Sequence, residues 1–163
     1  MTEDNPNIQT FDRLSDYATA LAQVCGLAQH TLCVFDKNFD SLGFNSLAYH
    51  DQLRAFLLSN PANRLYLLVQ DASYVLQHCP RILSLLQHFG SQMSLYQLPQ
   101  TLRHIATPFA VADGTHCVRR FHFDQPQGVL ERQDNANGRH YQSYFMDLWS
   151  ASKKVGHASE FRL

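Results

Sequence analysis

Histidine is the residue type in this sequence that most suggests chemistry, since nine histidines occur in 163 residues. His116 and His122 lie in a segment whose alternation predicts a strand, and residues an even number apart on a strand share a face. They would therefore face the same way, and His104 could lie near them. Three imidazoles can hold a metal ion. No carboxylate is spaced to complete such a site, so we predict a solvent-facing strand with no metal and no cofactor.

Charged residues at the ends of predicted strands form a second group of candidates. Arg119 and Arg120 are adjacent and must face opposite sides of a strand, so one of them would point inward and need an anionic partner. That partner is either a buried aspartate or a bound anion. Asp36 and Asp71 follow predicted strands, at the edge where open α/β sheets bind ligands, although capping is a more common role there. We predict no catalytic residue, and the ligand-binding candidates are Asp36, His104, His116, Arg119, Arg120 and His122.

The four cysteines do not have the spacing of a zinc site, because none of them form a C-x-x-C pair. Each lies in an apolar run, which predicts free, buried thiols. Cys117 alternates with the histidines along the predicted strand and should face away from them. A Cys–His nucleophile pair is therefore not expected.

Composition and motifs exclude several classes of function. The formal net charge is −1, and no lysine occurs between residues 38 and 152, so we predict no nucleic-acid binding. Neither a phosphate-binding loop nor a dinucleotide-binding motif is present. No apolar stretch approaches the roughly 20 residues of a membrane span, and the polar N-terminus does not resemble a secretory signal. A reduced cytoplasm is the expected location.

The candidate residues are expected to be held by one domain over residues 10–152, between a disordered leader (1–9) and a flexible tail (153–163). Apolar spacings of three and four residues predict helices, and short apolar runs predict buried strands. The first helix is expected to start at Thr10 and to use Phe11, Leu14 and Leu21 in its apolar stripe. The predicted order is α-β-α-β-α-β-β-β-α, with strands at about 31–35, 65–69, 93–98, 109–112 and 115–123.

This alternation of helices and strands predicts an α/β fold with a mixed, mainly parallel sheet and helices on both faces. Asp113-Gly114 is the strongest local signal, since this dipeptide favours a two-residue hairpin turn with positive φ. The hairpin adds an antiparallel edge near the C-terminal side of the domain. Residues 124–138 are polar and are predicted to form a loop before a last helix at about 139–152.

The stretch from residue 11 to 152 resembles one lobe of the phospholipase D-like superfamily. The leading helix, the Leu32–Phe35 and Leu65–Val69 strands and the helix ending at Gly90 carry this resemblance. The segment AVADGTHCVRR at 110–120 is similar to the end of the family's H-x-K-x-x-x-x-D motif. The last helix, with Phe145 and Trp149, resembles that of uncharacterised bacterial proteins of this lineage, some of which are joined to acetyltransferase domains.

The resemblance implies a degenerate site. In the family the motif histidine attacks phosphorus, the lysine binds the phosphoryl oxygens, the aspartate supports the hairpin, and two motifs face each other across a two-fold axis. Here Asp113 and Gly114 match the end of the motif, but the histidine position holds Ala106 and the lysine position holds Pro108. The resemblance therefore implies a homodimer without phosphodiesterase activity, and an acetyltransferase is a candidate partner.

Three hypotheses follow. The first is a non-catalytic phospholipase D-like module that binds a partner protein or a small anion. The second is a phosphodiesterase with a site rebuilt from histidines and arginines, which requires these residues to converge in one cleft. The third is a flavodoxin-like domain that binds a small ligand near Asp36 and Asp71.

Overall fold

The computed structural model describes residues 5–156, and within them one eight-stranded sheet carries helices on both faces. The strands are β1 (Ile8–Phe11), β2 (Thr31–Asp36), β3 (Arg64–Val69), β4 (Met93–Gln97), β5 (Phe109–Ala112), β6 (His116–His122), β7 (Gln125–Glu131) and β8 (Lys153–Lys154). The helices are α1 (Leu14–Leu27), α2 (Leu47–Ser59), α3 (Ser73–His78), α4 (Pro80–His88) and α5 (Asn135–Ser150). A short 3-10 helix, Gln100–Leu102, follows β4.

The strand order is β1-β7-β6-β5-β2-β3-β4-β8. Only β2–β3 and β3–β4 are parallel, and the other five pairings are antiparallel. The expected α/β class with helices on both faces is confirmed, but the expectation of a mainly parallel sheet is wrong. The reason is connectivity: short turns join β5, β6 and β7, and such turns can link only antiparallel neighbours.

The two sheet faces have separate cores, which follow from the period of two along each strand. We call the first the four-helix face: Leu32 and Val34 of β2 pack there under α1, α2, α3 and α4. We call the other the α5 face: Cys33 and Phe35 pack there against Phe145 and Leu148 of α5. Because strand β2 is buried on both sides, its sequence is a continuous apolar run.

The N-terminal boundary differs from the prediction. Thr10 and Phe11 lie in β1, which pairs with β7, and α1 begins only at Leu14. The sequence predicts a helical position for Phe11 because this residue lies three residues before Leu14. In the structure its ring packs on Gly128, where an added Cβ would lie 2.7 Å from the ring. Residues 8 and 9 of the predicted leader are therefore strand residues, and residues 1–4 lie outside the described part.

Two further strands were missed. Residues 125–131 were predicted as loop but form β7, which is paired on both sides and buries Val129 and Leu130. At the other end of the sheet, Lys153 and Lys154 of the predicted tail pair with Gln97 and Tyr96. Both segments are polar in sequence, and only their pairing partners make them strands. Residues 157–163 of the predicted tail lie outside the described part.

The predicted hairpin between β5 and β6 is present. Asp113 and Gly114 have φ values of 59° and 63°, as the dipeptide predicts. The register Ala112↔His116 leaves residues 113–115 in the loop, so the predicted two-residue turn is wrong by one residue and β6 begins at His116. Among residues 5–156, no helix combines the length and apolar character needed to cross a bilayer.

Candidate functional site

The candidate site lies where β2 and β3 end. There Asp36, the last residue of β2, meets Arg120 of β6. We call this region the carboxyl edge and define it as Asp36 with the segments 37–46, 98–108 and 120–125. Sheet register explains the meeting: Phe35 pairs with Phe109, and Phe109 pairs with Arg119, so the next residues, Asp36 and Arg120, both turn to the four-helix face.

Asp36 and Arg120 form a buried pair of opposite charges. Nη2 of Arg120 lies 3.9 Å from Oδ1 of Asp36, and the two residues are 5% and 2% exposed, respectively. Arg120 also donates from Nη1 to the carbonyl oxygens of Phe123 (3.1 Å) and Gln125 (3.3 Å). Through these two hydrogen bonds, the buried Arg120 side chain holds the turn between β6 and β7 in place.

The Asp36 carboxylate holds the segment that follows β2. Its Oδ2 accepts from the backbone N–H groups of Phe39 (2.7 Å) and Asn38 (3.3 Å). Phe39 has φ 64°, which is strained for an aromatic residue, and its ring stacks on Phe44 at 4.6 Å between centroids. Burial raises the pKa of Asp36 above its ordinary value, although the two N–H groups and Arg120 oppose that shift.

Tyr17 completes the buried group, and the sequence analysis missed it. This α1 side chain is fully buried, and its ring lies 5.0 Å from the Arg120 guanidinium carbon. Burial and the neighbouring Asp36 raise the Tyr17 pKa above its ordinary range. The sequence signal for its burial is that Tyr17 lies four residues before Leu21 and three after Leu14, which places it in the apolar stripe of α1.

Arg119 lies on the opposite face of the sheet and belongs to a different cluster. It pairs with Glu131 of β7, and its guanidinium carbon lies 4.8 Å from the centre of the Tyr141 ring. The second carboxylate oxygen of Glu131 accepts from Nδ2 of Asn137 at 2.6 Å. This cluster joins the start of α5 to the sheet, and Glu131 and Asn137 were not predicted to take part in a site.

The histidines do not converge. His116 lies beside the hairpin turn, where its Nδ1 accepts from the backbone of Gln133 at 3.1 Å. Burial lowers the pKa of His116. His122 is exposed at the other end of β6, roughly 20 Å away along the strand. A register shift between Arg120 and His122 also breaks the alternation that was expected to give the two histidines a common face.

His104 lies at the carboxyl edge and is exposed. Its neighbours Arg103 and Ile105 accept through their carbonyl oxygens from Nε2 of Gln70, at 2.8 and 2.7 Å. Of the six predicted residues, the structure thus brings Asp36 and Arg120 into contact and places His104 and His122 at the same edge. Within residues 5–156, no group of three histidine, cysteine or acidic side chains could hold a metal ion.

Two other aspartates have structural roles. Asp113 accepts from three backbone N–H groups, those of Gln29, His30 and Thr31, at 2.8–2.9 Å. It thereby ties the hairpin to the connection between α1 and β2, at the opposite end of the sheet from Asp36. Asp71 accepts from the backbone of Ser73 at 2.8 Å, and hydrogen bonds from Ser73 lower the Asp71 pKa.

Solved structures of low sequence identity share this fold. Nuc from Salmonella typhimurium, a phospholipase D family member, superposes with a TM-score of 0.60 at 10% identity, over 93% of this chain and 99% of that chain. NucT from Helicobacter pylori superposes with a TM-score of 0.61 at 9% identity, over 91% of this chain and 98% of that chain. The phospholipase D-like fold expected from the sequence is therefore confirmed.

Two longer proteins are also similar. TrmBL2, described as an archaeal chromatin protein with a novel mode of DNA binding, gives a TM-score of 0.69 at 12% identity over 95% of this chain. Phosphatidylserine synthase from Haemophilus influenzae Rd KW20 gives a TM-score of 0.53 at 12% identity over 97% of this chain. This chain spans 56% of TrmBL2 and 42% of the synthase.

No curated protein sequence matches this chain. Residues 13–162 match a family defined by sequence, and that match covers α1 to α5 and most of the chain. The chain therefore belongs to the family described as "Domain of unknown function (DUF7931)".

Proposed function

We propose that this protein is a non-catalytic phospholipase D-like module that binds another protein through the carboxyl edge, and that a second copy of the chain is its partner. The observation that carries the proposal is the chemistry at the motif positions. Counted back from Asp113, the position of the attacking histidine holds Ala106 and that of the phosphate-binding lysine holds Pro108. A methyl group has no lone pair for attack, and proline carries no charge.

The buried charge at this edge is already balanced. Arg120 lies directly across from Pro108, since its backbone N–H donates to the Pro108 carbonyl at 3.0 Å. Its guanidinium faces Asp36 and two backbone carbonyls. A phosphate group entering there would meet the Asp36 carboxylate, which opposes anion binding. The pair therefore favours a protein partner over a small anion.

An apolar side chain lies on the outside of the same edge. Phe121 follows Arg120 directly and is 55% exposed, although it is large and aromatic. Exposed His122 and half-buried Ile105 and Phe123 belong to the same edge. Exposed aromatic side chains are enriched in the cores of protein interfaces. Phospholipase D-like lobes face each other in pairs, which supports a second copy as the partner.

The oligomeric state tests the proposed dimer. We expect light scattering after size-exclusion chromatography to give the mass of a dimer at micromolar concentration. Phe121→Ser should give a folded monomer with an unchanged circular-dichroism spectrum. Leu58→Ser is the matched control, because Leu58 on α2 is also 55% exposed. A monomeric parent protein, or a Phe121→Ser variant that stays dimeric, would contradict the proposed interface.

Activity tests the absence of catalysis. We expect no hydrolysis of bis(p-nitrophenyl) phosphate or of single-stranded DNA above the buffer rate, with or without divalent metal ions. Turnover that is lost in His104→Ala or His122→Ala would instead support a rebuilt phosphodiesterase.

Binding of DNA at physiological salt is not expected at a net charge of −1. An acetyltransferase partner stays a prediction from the resemblance.

A further inference from the structure

Three buried polar atoms around the Asp36–Arg120 pair have no hydrogen-bond partner among residues 5–156. They are Oδ1 of Asp36, Nε of Arg120 and the hydroxyl oxygen of Tyr17. All three residues are at least nine-tenths buried. A buried polar group without a partner is destabilising, so three in one place require an explanation.

The two charges are close to each other but are not joined by a direct hydrogen bond. Nη2 of Arg120 and Oδ1 of Asp36 are 3.9 Å apart, which is too long for a direct hydrogen bond. Nη1 of Arg120 is already used by Phe123 and Gln125, so the remaining donors lie on the Nε–Nη2 edge of the guanidinium. A separation of this length between polar groups is typical of a contact bridged by water.

The donors and acceptors match a single small molecule. Arg120 Nε can only donate, Asp36 Oδ1 accepts when the carboxyl is ionised, and the Tyr17 hydroxyl can do either. A water molecule can accept from Arg120 and donate to Asp36, and the unpartnered hydroxyl of Tyr17, whose ring lies beside Arg120, can be its third partner. Buried waters typically make about three hydrogen bonds of this kind. An anion at this place would be repelled by the buried Asp36 carboxylate.

We infer that the protein binds one internal water molecule between Arg120, Asp36 and Tyr17, and that this water is an integral part of the fold. It joins three elements behind the carboxyl edge: α1 through Tyr17, the segment after β2 through Asp36, and the β6–β7 turn through Arg120. It therefore positions the segment that carries Phe121. The inference does not depend on what that segment binds.

A high-resolution crystal structure together with one conservative variant tests the inference. We expect density for a water within hydrogen-bond distance of all three side chains. Tyr17→Phe keeps the ring over Arg120 but removes the hydroxyl, and it should lower the melting temperature by about 2–4 °C. Tyr49→Phe calibrates this loss, because the Tyr49 hydroxyl donates to the Ala18 carbonyl at 3.2 Å on the same side of the sheet.

Three results would overturn the inference. The first is a direct Arg120–Asp36 hydrogen bond with no density between the groups. The second is density at this place that refines as an ion or a larger molecule. The third is a Tyr17→Phe variant with an unchanged or raised melting temperature, since that is the behaviour of a hydroxyl with no partner to lose.

Discussion

Arg120 and Pro108 are cross-strand neighbours, joined by a 3.0 Å hydrogen bond from the Arg120 backbone N–H to the Pro108 carbonyl. The cation at this level of the sheet therefore comes from β6, while Pro108 on the segment before β5 carries no charge. This cation points to the same face as Asp36 and is neutralised there.

The Asp36–Arg120 pair should be more costly to break on one side than to replace as a whole. Asp36→Ala leaves the buried guanidinium without its counter-charge and removes the acceptor for Phe39 and Asn38, so we expect a loss of about 3–5 kcal/mol in unfolding free energy. The double variant Asp36→Leu/Arg120→Met should recover only part of that loss. No unpaired charge remains, but the backbone groups that bonded to the two side chains are left without partners. Urea denaturation measures the unfolding free energy of both variants. A cost below about 1 kcal/mol for Asp36→Ala would show that solvent reaches the pair.

Asp113 is expected to act through its three backbone hydrogen bonds. Asp113→Ala removes all three acceptor contacts and places alanine at φ 59°, so a loss of about 2–4 kcal/mol is expected. Asp113→Asn should cost roughly half as much, since asparagine tolerates positive φ and keeps one acceptor oxygen. Denaturation midpoints at pH 7 compare the two. Equal losses for the two variants would show that the charge carries the whole effect.

Gly138 should behave opposite to its helix propensity. Glycine to alanine inside a helix normally stabilises by about 1 kcal/mol. A Cβ on Gly138, however, would lie 2.3 Å from the Gly114 carbonyl oxygen, because α5 starts directly on the hairpin turn. We therefore expect Gly138→Ala to destabilise by about 1–3 kcal/mol in thermal unfolding.

Ser143→Ala is the control for that prediction. Ser143 is an exposed position of α5, and alanine there should stabilise slightly, by roughly 0.5 kcal/mol. If both alanine variants were stabilising, the close contact between α5 and the hairpin turn would be wrong.

The thiols should be unreactive in the folded protein. Burial raises the pKa of Cys25, Cys33 and Cys117 to about 12, and burial also raises that of Cys79. At pH 8 a pKa of about 12 leaves roughly one thiol in ten thousand ionised, and only the thiolate reacts.

A disulfide reagent such as DTNB should therefore label none of these four thiols within minutes at pH 8 without denaturant. In strong denaturant, all four should react within seconds. One rapidly labelled thiol in the native protein would show that its surroundings open on that timescale, and mass spectrometry would identify it.

Local patterns in the sequence determined much of this protein. The continuous apolar runs of β2 and β3 predicted buried strands, and Asp113-Gly114 predicted a hairpin with positive φ. These succeed because burial on both faces and turn sterics depend on a few adjacent residues. The resemblance carried by residues 110–120 also anticipated the phospholipase D-like fold.

Only the tertiary structure decided the polarity of the sheet, the membership of its edges and the composition of the buried site. Strands β1, β7 and β8 are polar or short, and they are strands because partners supply their hydrogen bonds. Asp36, Arg120 and Tyr17 come from three separate elements, and their contact depends on the register between β2, β5 and β6. A shift of one residue in that register would turn Arg120 to the other face, so no local pattern could reveal the pair.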